Sequence, residues 1–228
     1  MELANMSARE RAIHRTRSTG VLPAIKLKQD ESKDIVSYVL AMIDGGARVV
    51  EVTMTTPGVL EMFRALAKEF GDELSLAAGT VLDAAAAREA IEAGARVIVS
   101  PAVVPEVIAT AHRYGAACYA GAFTATECLT AVQAGADMVK IFPAAVAGPA
   151  YMTNLRMVYP EINLIPSGGV SLENAADFIR SGACAVSGAR NFFNREAVAR
   201  EGLTWITDQV AAYIDIVAGV KAAAEPLP

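Results

Sequence analysis

An alanine-rich, helix-like run that ends at a glycine, with a short apolar stretch close behind it, recurs along this chain. No other feature limits the fold as much. The repeat stands at Asp44-Gly45-Gly46-Ala47-Arg48-Val49-Val50-Glu51 and at Ala93-Gly94-Ala95-Arg96-Val97-Ile98-Val99. It returns at Tyr114-Gly115-Ala116-Ala117-Cys118, at Ala134-Gly135 and at Ser181-Gly182-Ala183-Cys184-Ala185-Val186, and Gly71 plays the same part before Leu74-Ser75-Leu76. Glycine closes a helix there because it accepts the left-handed backbone that other residues avoid. A spacing of roughly 20 to 25 residues holds one strand and one helix, and is too short for two helices.

Counted in this way the chain contains eight strands: Val21–Ile25, Val49–Thr53, Leu74–Ala77, Val97–Val99, Ala117–Tyr119, Met138–Ile141, Asn163–Ile165 and Cys184–Ser187. Helices are expected near 32–44, 57–70, 83–93, 104–114, 125–134, 149–159, 171–181 and 195–220. A further helix at about 6–17 lies in an N-terminal segment, 1–18. Strict alternation of eight hydrophobic strands with helices predicts an α/β fold, a (β/α)8 TIM barrel with an extra N-terminal helix. The competing open, doubly wound sheet usually carries a glycine-rich first turn, and none follows Val21–Ile25. A chain of 228 residues suits one such domain, 1–228, with a patternless tail at 222–228 expected to fray.

Composition removes several classes of function. No apolar run approaches about 18 residues, so no membrane span is expected. A formal charge of −5 argues against general nucleic-acid binding. His14 and His112 are the only histidines, which leaves no His-rich metal site and speaks against a Ser-His-Asp triad. Cys118, Cys128 and Cys184 have no paired spacing and read as small reduced hydrophobes of an intracellular, cytoplasmic protein. Arg9, Arg11, Arg15 and Arg17 would suit a transit peptide, but Glu2, Glu10 and the helical register favour a surface helix.

One residue breaks the apolar pattern. Lys140 stands inside Met138-Val139-Lys140-Ile141, with Phe142 and Pro143 just beyond. A cation at the end of a buried strand is costly. Either its stem lies on apolar surface while its head reaches water, or it serves as a nucleophilic amine for Schiff-base chemistry. A barrel places its active site at the C-terminal ends of the strands. Those ends carry Lys26, Glu51, Thr53, Gly79-Thr80, Ser100-Pro101, Gly121, Lys140, Phe142, Ser167-Gly168-Gly169 and Ser187 to Arg190. Glu51 is a solvated carboxylate at a strand end or, inside the mouth, one that needs a partner such as Lys26 or Lys140. Gly168-Gly169 makes a tight turn or offers backbone N–H groups to an anion ahead of a helix.

Val50-Glu51-Val52-Thr53, Ala78-Gly79-Thr80-Val81, Val99-Ser100-Pro101, Val139-Lys140-Ile141-Phe142-Pro143, Gly148-Pro149 and Ser167-Gly168-Gly169-Val170, in this order and at barrel spacing, resemble the 2-keto-3-deoxy-6-phosphogluconate aldolases. The likeness extends to their phosphogalactonate and 4-hydroxy-2-oxoglutarate relatives and runs from Val21 to Phe193. It implies a class I, metal-independent aldolase, without cofactor, that splits a 2-keto-3-deoxy sugar acid into pyruvate and an aldehyde. By that resemblance Lys140 forms the Schiff base, Glu51 shuttles protons and Thr80 helps orient the keto acid. Phe142 walls the lysine, and Thr53, Pro101, Ser167, Gly168, Gly169, Ser187 and Gly188 contact substrate.

The chain departs from the family pattern in three places. Thr55 stands where many members carry an arginine for the pyruvoyl carboxylate, and Lys26 stands where others supply one from the first strand. Ala189-Arg190 aligns with a Gly-Ser phosphate contact, so Arg190 implies either phosphate or another distal anion such as a carboxylate. Ser167 replaces the usual threonine. The resemblance also implies a homotrimer with small-molecule partners only. Three other readings stay open: a 4-hydroxy-2-oxoglutarate-type aldolase acting on a non-phosphorylated acid, a sugar-phosphate isomerase or epimerase, and a non-catalytic ligand-binding relative.

Overall fold

The computed structural model describes residues 5–223. Helix α1 (Ala8–Thr19) starts at Ser7, whose hydroxyl accepts from the Glu10 amide while the Glu10 carboxylate accepts from the Ser7 amide; Gly20, at φ 71°, ends it. The strands are β1 (Val21–Ile25), β2 (Val49–Thr53), β3 (Ser75–Gly79), β4 (Val97–Ser100), β5 (Ala117–Ala122), β6 (Met138–Ile141), β7 (Leu164–Pro166) and β8 (Val186–Gly188). The helices between and after them are α2 (Ile35–Asp44), α3 (Val59–Phe70), α4 (Ala84–Glu92), α5 (Pro105–Arg113), α6 (Ala125–Gln133), α7 (Ala144–Val158), α8 (Leu172–Arg180), α9 (Arg195–Glu201) and α10 (Thr204–Ala223).

All paired strands run parallel, in the order β7-β6-β5-β4-β3-β2-β1-β8. Bridges Leu164–Ala183 and Ser167–Ser187 join the two ends and close the cylinder. The expected α/β barrel is therefore the observed fold. Several element bounds differ. Residues 29–34 form a short 3-10 turn, so α2 begins at Ile35. The long C-terminal helix is two helices, broken at Gly202 with φ 76°. Helix α7 starts at Ala144 and kinks at Gly148 (φ 72°, ψ 167°), just ahead of Pro149. Strands β3, β7 and β8 sit one or two residues later than their hydrophobic runs suggested, and β5 continues through Ala120-Gly121-Ala122. The ladder needs backbone, and small residues supply it as well as large ones. Of the expected tail, 222–223 belong to α10 and 224–228 lie outside the described residues.

Two apolar layers result. One fills the space between strands and helices, with Phe63, Leu66, Ile98, Ile108, Phe178 and Tyr213 among its largest members. The other is the barrel interior: Leu22, Val49, Ala77, Val97, Val99, Ala117, Tyr119, Met138, Ile165 and Ala185. Helix α1 seals the N-terminal end of that interior, where Ala12 joins the cluster and the buried Thr16 and Tyr119 hydroxyls lie 2.8 Å apart. Side chains of a strand alternate, so the inward row continues two residues further along as Glu51, Gly79, Gly121, Lys140, Ser167 and Ser187. The interior changes from apolar to polar within one such step.

Candidate active site

The C-terminal mouth holds a cavity of about 570 Å³, lined by Glu51, Thr53, Thr80, Lys140, Phe142, Ser167 and Gly168-Gly169-Val170, with Ala24 and Gly188-Ala189-Arg190-Asn191 along one side. Glu51 on β2 and Lys140 on β6 reach across it, and Lys140 Nζ lies 3.4 Å from Glu51 Oε2. The carboxylate is nearly sealed from solvent (3 %), the lysine less so (13 %). The lysine's head neither reaches freely into water nor lies unpaired among apolar groups.

Close backbone packing makes room for this pair. A β-carbon at Gly79 would stand 2.0 Å from Glu51 Oε1, so the carboxylate occupies the space of a missing side chain. The next residue, Thr80, takes the left-handed conformation at φ 61°, unusual for a β-branched residue, and turns the chain into the pocket wall. Hydrogen bonds from Met54 N to Gly79 O (2.7 Å) and from Val81 N to Val99 O (3.1 Å) hold that corner in place.

Phe142 leaves β6 with its ring about half exposed and lies over Gly168, where a β-carbon would come within 2.8 Å of the ring. Gly168 and Gly169 have φ of 79° and 89°. Their carbonyls are used, Gly168 O by Ala145 N at 2.8 Å and Gly169 O by Asn174 Nδ2 at 3.0 Å. Among the described residues their amides donate to no protein acceptor. These amides precede α8, whose N-terminal positive pole adds to their attraction for an anion. Arg190 on the same rim is exposed and makes no ion pair among the described residues.

Four residues expected at the site fall outside the cavity. Lys26 is exposed and does not line the cavity, and its carbonyl accepts from Arg195 Nη2 (2.6 Å), which ties the backbone to α9. Thr55, beyond the end of β2, is also exposed and reaches the site only through its 3.1 Å contact with the Thr53 hydroxyl. Pro101 packs its backbone against Gly121, where a β-carbon would sit 2.2 Å from the Pro101 carbonyl carbon, so it is a support beneath the wall. Ser187 is closed off from solvent, with 0 % exposure, and among the described residues its hydroxyl has no hydrogen-bond partner. Val170 and Ala189, which the motifs include without giving them a role, line the cavity as well, and so do Ala24 and Asn191, which no pattern in the sequence marks.

A larger groove, about 990 Å³, runs between α8 and α10 at the opposite pole beside Arg17, Arg156 and Lys221. Among the described residues it holds no lysine–carboxylate ion pair. Among the described residues no group of three or more His, Cys, Asp or Glu is placed to hold a metal ion.

A parallel eight-stranded barrel with a lysine and a carboxylate joined across its C-terminal mouth is the architecture of an imine-forming lyase. Comparison with known proteins narrows the class. Residues 12–209 match the family described as KDPG and KHG aldolase. The chain is 34 % identical over 195 residues to the 2-dehydro-3-deoxy-6-phosphogalactonate aldolase of Escherichia coli K12, covering 85 % of this chain and 93 % of that one. It is 38 % identical over 160 residues to the 2-dehydro-3-deoxy-phosphogluconate aldolase of Treponema pallidum, covering 70 % and 75 %. Among solved structures, a native KDPGal structure superposes with a TM-score of 0.81 at 30 % identity, covering 88 % of this chain and 96 % of that one. The chain belongs to the KDPG and KHG aldolase family, and is thus an aldolase, a carbon–carbon lyase.

Proposed function

We propose that the protein cleaves a 2-keto-3-deoxy sugar acid with a distal phosphate into pyruvate and an aldehyde such as glyceraldehyde 3-phosphate. The observation that carries this reading is the 3.4 Å contact between Lys140 and Glu51 inside the mouth. The Lys140 amine adds to the C2 carbonyl, and loss of water leaves a protonated imine. Glu51 takes the C4 hydroxyl proton as the C3–C4 bond breaks, and the electron pair passes into the imine as an enamine. The aldehyde leaves, Glu51 returns its proton to C3, and water releases pyruvate from Lys140. A single carboxylate serves both transfers because C3 and the C4 oxygen face the same side of the imine.

Thr80 and Thr53 supply hydroxyls near the lysine for the pyruvoyl carboxylate, with the charge of Lys26 acting from the rim. Phe142 and Ser167 bound the chain beyond C3. Arg190 and the Gly168 and Gly169 amides form the distal anion site, since an unpaired guanidinium beside free N–H groups favours a doubly charged oxyanion. The test is borohydride trapping with pyruvate and peptide mapping. A reduced adduct on Lys140 supports the aldolase reading; its absence favours a sugar-phosphate isomerase or a binding protein.

We further propose one barrel domain for the whole chain, assembled as a homotrimer in the cytoplasm. Leu129 and Val132 on α6 and Val146, Met157 and Val158 on α7 are exposed large hydrophobic residues, of the kind a subunit contact would cover. All three cysteines are unpaired, and among the described residues no helix is long and apolar enough to cross a membrane. Sedimentation of the wild type and of Met157→Glu tests the assembly.

A further inference from the structure

Asn191 is the one polar side chain of the cavity wall that the mechanism above leaves unused. It follows β8, and its amide lies over Gly188, where a β-carbon would meet Asn191 Oδ1 at 2.1 Å and Nδ2 at 3.0 Å. Nδ2 is buried and, among the described residues, closes no hydrogen bond of ordinary geometry. The Asn191 amide lies near enough to the Tyr213 hydroxyl for a hydrogen-bonding interaction that partly offsets the upward push of burial on that phenol, but the contact falls outside ordinary hydrogen-bond geometry. A buried N–H without an acceptor is costly in a folded protein, and a turn of the sealed amide toward the cavity that Asn191 lines would give Nδ2 a ligand oxygen.

We infer that Asn191 is a specificity-determining residue that reads a hydroxyl of the substrate beyond C4. An amide presents a donor and an acceptor side by side, and a hydroxyl is the group that complements both. The placement agrees. Lys140 and Glu51 fix C2 to C4 at β6 and β2, and Arg190 with Gly168-Gly169 marks the distal end. Asn191 stands on the same rim as Arg190, alongside the intervening carbons. The inference deepens the aldolase reading and rests on it.

The experiment compares two unphosphorylated acids, so that Arg190 plays no part. One is a six-carbon 2-keto-3-deoxy aldonic acid, in whichever C4 form the wild type cleaves; the other is 4-hydroxy-2-oxopentanoate, which has no hydroxyl beyond C4. For Asn191→Ala the ratio of their kcat/KM values should fall about tenfold, with most of the change in KM for the six-carbon acid. Both substrates meet the same active fraction, so partial misfolding cancels from the ratio. Asn191→Asp, of equal size but without the donor, should show the same fall if the alanine variant does not fold. Tyr213→Phe should leave the ratio unchanged. A ratio within twofold of wild type in the Asn191 variants, or an equal fall in Tyr213→Phe, overturns the assignment. Failure of the aldolase reading is seen separately, as no pyruvate adduct on wild-type Lys140.

Discussion

Lys140 Nζ and Glu51 Oε2 stand 3.4 Å apart across the barrel mouth, although 89 positions separate the two residues in the chain. Closure of the cylinder makes this meeting possible, because β2 and β6 face each other rather than pair. Replacing Lys140 by arginine keeps the positive charge but removes the amine that forms the imine. Turnover should vanish, and borohydride should trap no pyruvate. Glu51→Gln should still form the imine while slowing cleavage by about 10² to 10⁴. Pyruvate C3–H exchange in deuterated water, followed by NMR, checks this. Exchange at the wild-type rate would move the proton transfers to another group.

Gly79 offers a test that touches neither reacting residue. Its missing side chain is the space Glu51 uses, so Gly79→Ala forces the carboxylate away from Lys140. A shift on the order of 1 Å at such a group costs about 10² in rate. Overpacking costs a further ~1–3 kcal/mol of stability. We expect kcat to drop by about that factor while borohydride still traps pyruvate on Lys140. A variant with wild-type kcat would show that Glu51 tolerates displacement.

Arg190 and Lys26 were symmetrical in the sequence, one cation after the eighth strand and one after the first. The structure separates them: Arg190 lines the cavity and Lys26 lies outside it. Arg190→Ala should raise KM for a phosphorylated substrate by up to about 3 kcal/mol and change KM for its unphosphorylated analogue far less. Lys26→Ala should alter either by no more than about 1 kcal/mol, as for an exposed charge. Steady-state kinetics on the two substrates decides. If KM rises equally for both in Arg190→Ala, the distal anion site lies elsewhere.

This pair also marks the limit of what is legible in the sequence. The barrel was legible because its signals are local: glycines such as Gly94 and Gly135 close helices, and apolar runs such as Val97-Ile98-Val99 need a sheet. Glu51, Lys140 and Gly168-Gly169 were legible because each breaks a local rule, as a charge or a flexible pair at the end of a buried strand. What a rim side chain faces depends on contacts distant in sequence. The Lys26 side chain is exposed while its backbone carbonyl accepts a hydrogen bond from Arg195, 169 positions away, and Ser187 is enclosed by closure of β8 on β1 and β7. Asn191 breaks no local rule. Only the burial of its amide nitrogen distinguishes it from any other loop asparagine.

Burial raises all three thiols, Cys184 to about 11 among them, and should give the stability curve an alkaline limb. Burial pushes Cys118 up to about 12 and Cys128 up to about 11, and nearby Asp137 and Glu127 add to the effect. Both values lie above the ordinary thiol range near 8.5, so the unfolded chain releases these protons first. Stability is complete below that range. It falls as pH rises from about 8.5 through 11, by up to about 1.4 kcal/mol per unit for each thiol that titrates. Urea midpoints at pH 8 and pH 10.5 should show the loss, and Cys128→Ala should reduce it. At pH 8 neither thiol should react with a disulfide reagent until the protein unfolds.

The pole opposite the active site carries a network whose loss should affect stability and leave catalysis intact. The Asp137 carboxylate, only 6 % exposed, accepts from Arg9 Nε (3.0 Å) and Nη2 (2.7 Å), from the Cys118 amide (2.8 Å) and pairs with His112 Nε2 at 3.2 Å. It thereby fastens α1 and α5 to the start of β6, beneath the barrel. Removing a buried charge that others are built around costs about 3–5 kcal/mol. Arg9 remains over a third exposed and recovers hydration once released, which lowers the figure for Asp137→Ala to about 2–3 kcal/mol. Asp137→Asn keeps an acceptor for the Cys118 amide and should lose less, and Arg9→Ala about 1 kcal/mol or less. Chemical denaturation should rank the variants in that order, with kcat at 25 °C unchanged in all three because Lys140 and Glu51 sit at the other end. Equal losses in Asp137→Asn and Asp137→Ala would assign the stability to the charge alone rather than to the amide it accepts.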